Sequence, residues 1–188
     1  MFFFDLFNKP IVWLIKRIKM EYLQKFKGKK ESLPQKVSIK DILFAGIGGF
    51  IAIALIAYIT RSSDNLLIMG SFGASCVLLF AYPKSPFSQP RNVIFGHLFS
   101  TLTGLIFLHL FGYEWWSIAL ALASAIVIML LTRTVHPPAG SNPIIVFLLG
   151  ADFDYLIFPS LTGSIILVLV ALFYNNLHKQ RSYPSYWY

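Results

Sequence analysis

Residues 132–143 read TRTVHPPAGSNP, a dozen residues poor in helix formers, set between a long apolar run and a shorter one. Pro137 and Pro138 stop a helix arriving from the N-terminal side, because each lacks the N–H of a helical hydrogen bond and its ring crowds the preceding turn. Ala139-Gly140-Ser141-Asn142 then supplies a turn and capping groups, and Pro143 suits the first turn of a new helix. The stretch predicts one helix ending and a short one starting, both inside the most apolar half of the chain.

The surroundings say in what solvent this happens. Of 188 residues 56% are hydrophobic and 13% charged, and the mean hydropathy is +0.66. That lies outside the balance of soluble domains. Four stretches, Ile42 to Thr60, Asn92 to Tyr113, Trp115 to Thr132 and Tyr155 to Leu177, contain no Asp, Glu, Lys or Arg. Each approaches the roughly 20 residues a helix needs to cross about 30 Å of hydrocarbon. An all-α, multi-pass integral membrane protein is expected, with a prokaryotic plasma (inner) membrane as its location.

The net charge of +8 is unevenly spread, since ten of the sixteen Lys and Arg residues precede Asp41. Such a bias reports topology and anionic lipid rather than nucleic acid. Residues 1–40 form a separate basic region, in which Ile11, Leu14, Ile15, Ile18, Tyr22 and Phe26 follow helical spacing with Lys16, Lys19 and Lys25 on other faces. A cytoplasmic or interfacial amphipathic helix is expected there, with anionic lipid as its partner. Cys76 is the single cysteine, which excludes an intrachain disulfide, and no His, Cys or carboxylate cluster has metal-ligand spacing. No metal or other cofactor is expected.

The chain also repeats itself. Thr60-Arg61 closes the first span and Thr132-Arg133 the third; GASCVLLF (73–80) aligns with GSNPIIVF (140–147), and STLTGLIFL (100–108) with PSLTGSIIL (159–167). Each half is then a full span, a Gly-rich broken segment and another full span. Cytoplasmic loops carry the Lys and Arg excess. The basic arm, Lys84 with Arg91, and Lys179 with Arg181 agree on one side if both broken segments cross, leaving Glu114, Asp152 and Asp154 on the other. Six crossings with both termini cytoplasmic make two inverted halves of three segments, four long transmembrane helices plus two short half-helix crossings. The expected boundaries are 1–40 for the basic region, 41–178 for the membrane domain (repeats 41–112 and 115–178) and 179–188 for a cytoplasmic tail.

Broken backbone inside a bilayer must face protein or a water-filled cavity, so the two breaks point inward. A helix N-terminus carries partial positive charge and free N–H groups. Two of them facing each other near the midplane resemble an anion site of a secondary transporter. The candidate substrate-binding residues are Ser71, Gly73, Ala74 and Ser75 from GSFGAS (70–75), and His136, Gly140, Ser141 and Asn142 from the second break. Arg61, Arg91, His97 and Arg133 are candidates for the pathway or its gates, while Arg61 and Arg133 equally suit headgroup anchoring and His97 a buried packing role. His109 is expected at the interface, and Gly46, Gly48, Gly49, Gly104 and Gly163 are expected to let helices approach closely. A homo-oligomer fits such small-residue faces.

TRTVHPPAGSNP, GSFGAS, PKSPFSQPRNVIFGH and their spacing resemble the HPP family of small integral membrane proteins, over roughly residues 40–178. The basic arm and the SYPSYWY tail fall outside that resemblance. It implies four transmembrane helices, and it implies nitrite as substrate, since members from cyanobacteria and chloroplasts are associated with nitrite transport. The expected function is a transporter or channel for a small inorganic anion, nitrite first. It is not expected to be an enzyme: the spans lack paired carboxylates and no residue is assigned a catalytic role, although His136 with Ser71 or Ser75 could be assembled in space. A membrane-embedded enzyme and a non-transporting subunit or scaffold are the alternatives.

Overall fold

The computed structural model describes residues 17, 19–28, 31–63 and 65–187, which are helical or irregular with no strand among them. Contacts divide the chain into two units, Met1–Lys36 and Val37–Tyr188. In the first, residues 19–25 are helical, Arg17 Nε donates to Glu21 Oε1 at 3.0 Å, and the Tyr22 and Phe26 rings meet edge to face at 5.2 Å. Met20, Tyr22, Leu23 and Phe26 are exposed. Ile11, Leu14, Ile15 and Ile18 lie outside the described residues.

The second unit holds the membrane helices. Helix α1 (Ile39–Ser62) starts at Ser38, whose hydroxyl accepts the Asp41 N–H. A short α2 (Gly70–Cys76) continues through a π-helical turn, Val77–Ala81. Then come α3 (Pro90–Phe111), α4 (Trp115–Leu131) and, after a 3-10 turn at Pro137–Ser141, a short α5 (Asn142–Leu149). A π-helical stretch, Leu156–Leu161, leads into α6 (Thr162–Asn175). Three helical stretches, Ile39–Ser62, Pro90–Phe111 and Leu156–Asn175, are long and apolar enough to cross a membrane. The fourth long helix expected from the sequence is shorter than that. Helix α4 has 17 residues because Thr132 closes it and Arg133 turns away, before the TRTVHPPAG run can add another turn.

Contacts at the helix ends give the direction of travel. Ala81, closing the π-helical turn after α2, shares a cleft of about 550 Å³ with Asp41 at the start of α1 and with His178 and Arg181 beyond α6. At the same pole Arg91, on the first turn of α3, donates from Nη2 to the Thr132 carbonyl at the end of α4, 2.8 Å away. At the other pole His109, near the end of α3, reaches Asp152 at 3.2 Å. Gly150, which closes α5, lies so near Tyr113 that a Cβ there would sit 2.6 Å from its hydroxyl. Successive helices therefore run in alternating directions, α1 to α6, and the unit begins and ends at one pole.

The tail belongs to this unit and not to a separate segment. Tyr183 is 2% exposed; its hydroxyl donates to the Ser88 carbonyl at 2.8 Å, and Asn176 holds its N–H and C=O at 3.1 and 2.6 Å. Ser185 N donates to Gln89 Oε1 at 2.7 Å, and Arg181 Nη1 caps the Phe80 carbonyl at 2.7 Å. Burial out of water pushes the Tyr183 phenol above its usual pKa. The loop 85–89, between α2 and α3, is thereby clamped from the tail side.

Candidate functional site

Helix α3 carries the centre of the site. Its buried polar residues include His97, Ser100 and Thr101, all 0% exposed, on the face that meets both broken segments. Ser100 Oγ donates to the Ala139 carbonyl at 2.6 Å, which fastens the 3-10 turn to α3. Gly96 makes the approach feasible: a Cβ there would lie 2.7 Å from His136 Cβ and 3.0 Å from the Thr134 carbonyl. Asn142, first residue of α5, donates to Thr101 Oγ1 at 2.9 Å. Thr101 is about halfway along the 22 residues of α3, so α5 starts deep inside the unit.

Around His97 the side chains close into one network. Ser75 Oγ, on α2, stands 3.0 Å from His97 Nε2 and 2.8 Å from His136 Nε2. His136 Nδ1 is 2.7 Å from the Phe87 carbonyl, and His97 Nδ1 is 2.9 Å from Asn142 Nδ2. Thr101 Oγ1 and Ser160 Oγ are 2.8 Å apart, and Ser160 Oγ donates to the His97 carbonyl at 3.2 Å. The π-helical stretch breaks helical geometry at Phe158 just before it presents Ser160, a deformation common at functional sites. Ser75, His97, His136, Asn142 and Ser160 are all 0% exposed. Fixed by a carbonyl partner, His136 keeps its proton on Nδ1, leaving Nε2 to accept from Ser75.

Of the residues expected to bind substrate, the structure brings together Ser75, His136 and Asn142, with Ser71 beside them through its carbonyl, 3.2 Å from Ser75 Oγ. The hydroxyl of Ser71 and Oδ1 of Asn142 are buried without a protein partner among the described residues. Gly73 and Ala74 lie on the exposed face of α2, and Gly140 is half-buried with open space at its Cα. Ser141 Oγ closes the local turn onto the Pro138 carbonyl at 2.8 Å. Among the pathway candidates only His97 joins the cluster. Arg61 is exposed at the end of α1, and Arg91 is bonded to the end of α4 as described. Arg133 has φ 56° and caps α4: its N–H reaches Leu130 O at 3.2 Å while Thr134 N reaches Met129 O at 2.9 Å, the Schellman pair.

Sequence reasoning did not single out Thr101, Ser160 or the Phe87 carbonyl. A signal for the first two was present, since the alignment of STLTGLIFL with PSLTGSIIL pairs Thr101 with Ser160, and these two hydroxyls touch. A backbone carbonyl carries no such signal.

The chain matches the HPP transmembrane-region family over residues 34–184. The match extends past the 40–178 expected from motifs and takes in the buried Tyr183. Two transmembrane proteins of Dictyostelium discoideum are each 34% identical to it, over 190 and 194 residues. The alignments cover 95% and 96% of this chain and 61% and 68% of those proteins. No solved structure matches the chain. The chain belongs to the HPP transmembrane family.

Proposed function

We propose that this member of the HPP transmembrane family carries a small inorganic anion across the membrane together with a proton. The observation that carries the reading is Ser75 Oγ held between the Nε2 atoms of His97 and His136, fully buried among apolar helices. An anion entering such a place alone would bury an uncompensated charge at high cost. A proton taken up by the histidine pair cancels that charge and turns an imidazole acceptor into a donor aimed at the site. No carboxylate touches either ring in the hydrogen bonds and ring contacts described, so the histidines are the groups available for the proton. Nitrite comes first among substrates through the family resemblance; nitrate, formate, bicarbonate and chloride belong in the same screen.

The architecture we propose is two inverted halves, α1 to α3 and α4 to α6, with six crossings. The alternating helix directions and the aligned segments support it. Lys84, Arg91, Lys179 and Arg181 fall at or beyond the ends that gather at the first pole, while Glu114, Asp152 and Asp154 fall in the loops of the second, which supports cytoplasmic termini in a plasma membrane. The basic N-terminal region then meets anionic lipid on that side.

Proteoliposomes test the transport reading. Uptake of nitrite or a similar anion should depend on an inward proton gradient and fall on His136→Ala or Ser75→Ala. Undiminished flux in both variants would sink the proposed site.

One observation favours a second reading. Ser75 Oγ, His136 Nε2 and Nδ1, and the Phe87 carbonyl stand in the order of nucleophile, base and orienting acceptor. Hydrolysis of a lipid or peptide by the purified chain, lost on Ser75→Ala, would establish a membrane enzyme instead. The second imidazole on the same Oγ favours transport, because a hydrolytic serine needs only one base.

A further inference from the structure

We infer that the cluster is a one-proton switch in which His136 takes the proton, Ser75 re-aims its hydroxyl to the Ser71 carbonyl, and Asn142 is the positioning residue that withholds the proton from His97. The inference deepens the proposed proton-linked transport and rests on that reading for its purpose. Its geometry stands on the hydrogen bonds alone.

The donors can be assigned one by one. The Phe87 carbonyl can only accept, so His136 Nδ1 carries a hydrogen and the neutral ring accepts at Nε2. The Asn142 amide nitrogen lies 2.9 Å from His97 Nδ1, 2.9 Å from Thr101 Oγ1 and 3.3 Å from the His97 carbonyl. That carbonyl fixes the amide orientation, since a flipped amide would set oxygen against oxygen. Asn142 therefore donates to Nδ1, and the neutral His97 carries its hydrogen on Nε2. The two imidazoles are opposite tautomers, joined as His97 Nε2–H to Ser75 Oγ–H to His136 Nε2.

A proton from water has one place to go in this arrangement. His97 already carries hydrogen on Nε2, and its Nδ1 faces an N–H. His136 Nε2 is an acceptor, and Ser75 has a second acceptor within reach, the Ser71 carbonyl at 3.2 Å. On uptake His136 holds hydrogen on both nitrogens, both Nε2–H groups point at Ser75 Oγ, and the serine hydrogen turns to Ser71. One proton is gained and every hydrogen bond of the chain keeps a donor and an acceptor. The groups that hydrogen-bond to the rings or meet them as ring contacts are Ser75 and Phe72 from α2, the Phe87 carbonyl from the loop, and Asn142 from α5, besides each other with centroids 5.0 Å apart, and Gly96 of α3 lies against His136. None of these other groups is ionisable, so no neighbouring charge in contact reverses the order.

Nitrogen-15 NMR of the full chain in bilayers, labelled at histidine, tests this without requiring transport. His109→Gln and His178→Gln clear the two histidines outside the cluster. At neutral pH the expected spectrum shows hydrogen on Nδ1 of His136 and on Nε2 of His97, and acidification converts His136 first. Asn142→Asp supplies an acceptor at Nδ1, so His97 should then gain its second hydrogen at a pH higher by about one unit, and the pH profile of anion uptake should move with it. Identical tautomers in the wild-type chain, or His97 charging first, would overturn the inference even if Asn142→Asp does not fold. A folded Asn142→Asp chain with an unchanged His97 titration would overturn the role of Asn142. Failure of wild-type anion uptake beside the expected spectrum would reject the transport reading and leave the switch standing.

Discussion

The two broken segments do corresponding work with different residues. In the first, GSFGAS opens α2 directly and offers Ser75; in the second, HPPAGSNP passes through a 3-10 turn before α5 and offers Asn142. The alignment of GASCVLLF with GSNPIIVF makes Ser75 and Asn142 counterparts, and they hold the two nitrogens of one ring, His97 Nε2 and Nδ1. Thr101 and Ser160, the other counterparts, bond to each other beside it. The histidines themselves have no counterparts: carried through the same alignments, His136 falls opposite Met69 and His97 opposite Leu156. A group lying between two matching halves is needed only once, so the scaffold repeats while the titratable chemistry does not.

Between the counterparts Ser75 and Asn142, the larger effect should come from the residue that joins the histidines. Ser75→Ala cuts the link between the rings and is expected to lower proton-linked anion flux about a hundredfold, measured in proteoliposomes at matched protein content. Asn142→Ala leaves that link intact and should lower flux less while shifting its pH profile. Equal losses without a profile shift would break the contrast between the counterparts.

Packing gives the next contrast, between a glycine that meets the second broken segment and one in the first that faces outward. Gly96→Ala would press a methyl group against His136 and the Thr134 carbonyl, costing about 1–3 kcal/mol and lowering the thermal unfolding midpoint. Gly73→Ala meets open space in α2 and should be neutral or stabilising by up to about 1 kcal/mol. A comparable destabilisation at both positions would mean that the 3-10 turn is not seated on α3 as described. Thr101→Val removes the hydroxyl that pairs with Ser160 and should cost about 1 kcal/mol in stability, with Ser160→Ala matching it.

The smallest effect concerns two helix ends. Helices α4 and α5 finish with the same pair of backbone bonds, but α5 places Gly150 at the left-handed position and α4 places Arg133 there. Arg133→Gly should stabilise the chain by about 1 kcal/mol and leave anion flux unchanged. A loss of flux would restore Arg133 to the pathway, where its charge alone had suggested it.

What the sequence disclosed follows from how far each signal travels along the chain. Apolar runs located α1, α3, α4 and α6 to within a few residues, because bilayer length is read from composition. Prolines and glycines located both breaks, and Ser75, His136 and Asn142 were legible there because irregular backbone in lipid faces inward. The third span, expected to end at Thr132, closes one residue earlier, because Thr132 is the cap of α4 and not its last helical residue. Gly73 and Ala74, expected beside Ser75 as backbone donors, lie on the exposed face of α2, because helical periodicity turns them outward from Ser71 and Ser75. His97 was visible as a histidine in a span, but its place at the centre depends on Ser75 and Asn142 arriving from opposite directions. The docking of Tyr183 and Ser185 depends on partners nearly a hundred residues away, a separation at which no local pattern is informative.

The most direct test of proton-linked anion transport is the simultaneous recording of internal pH and anion uptake in liposomes holding the purified chain. Proton-linked transport should give internal acidification in step with nitrite or another small anion, about one proton per anion, and loss of both signals together in His136→Ala. Anion uptake without acidification, or acidification that survives His136→Ala, would contradict it.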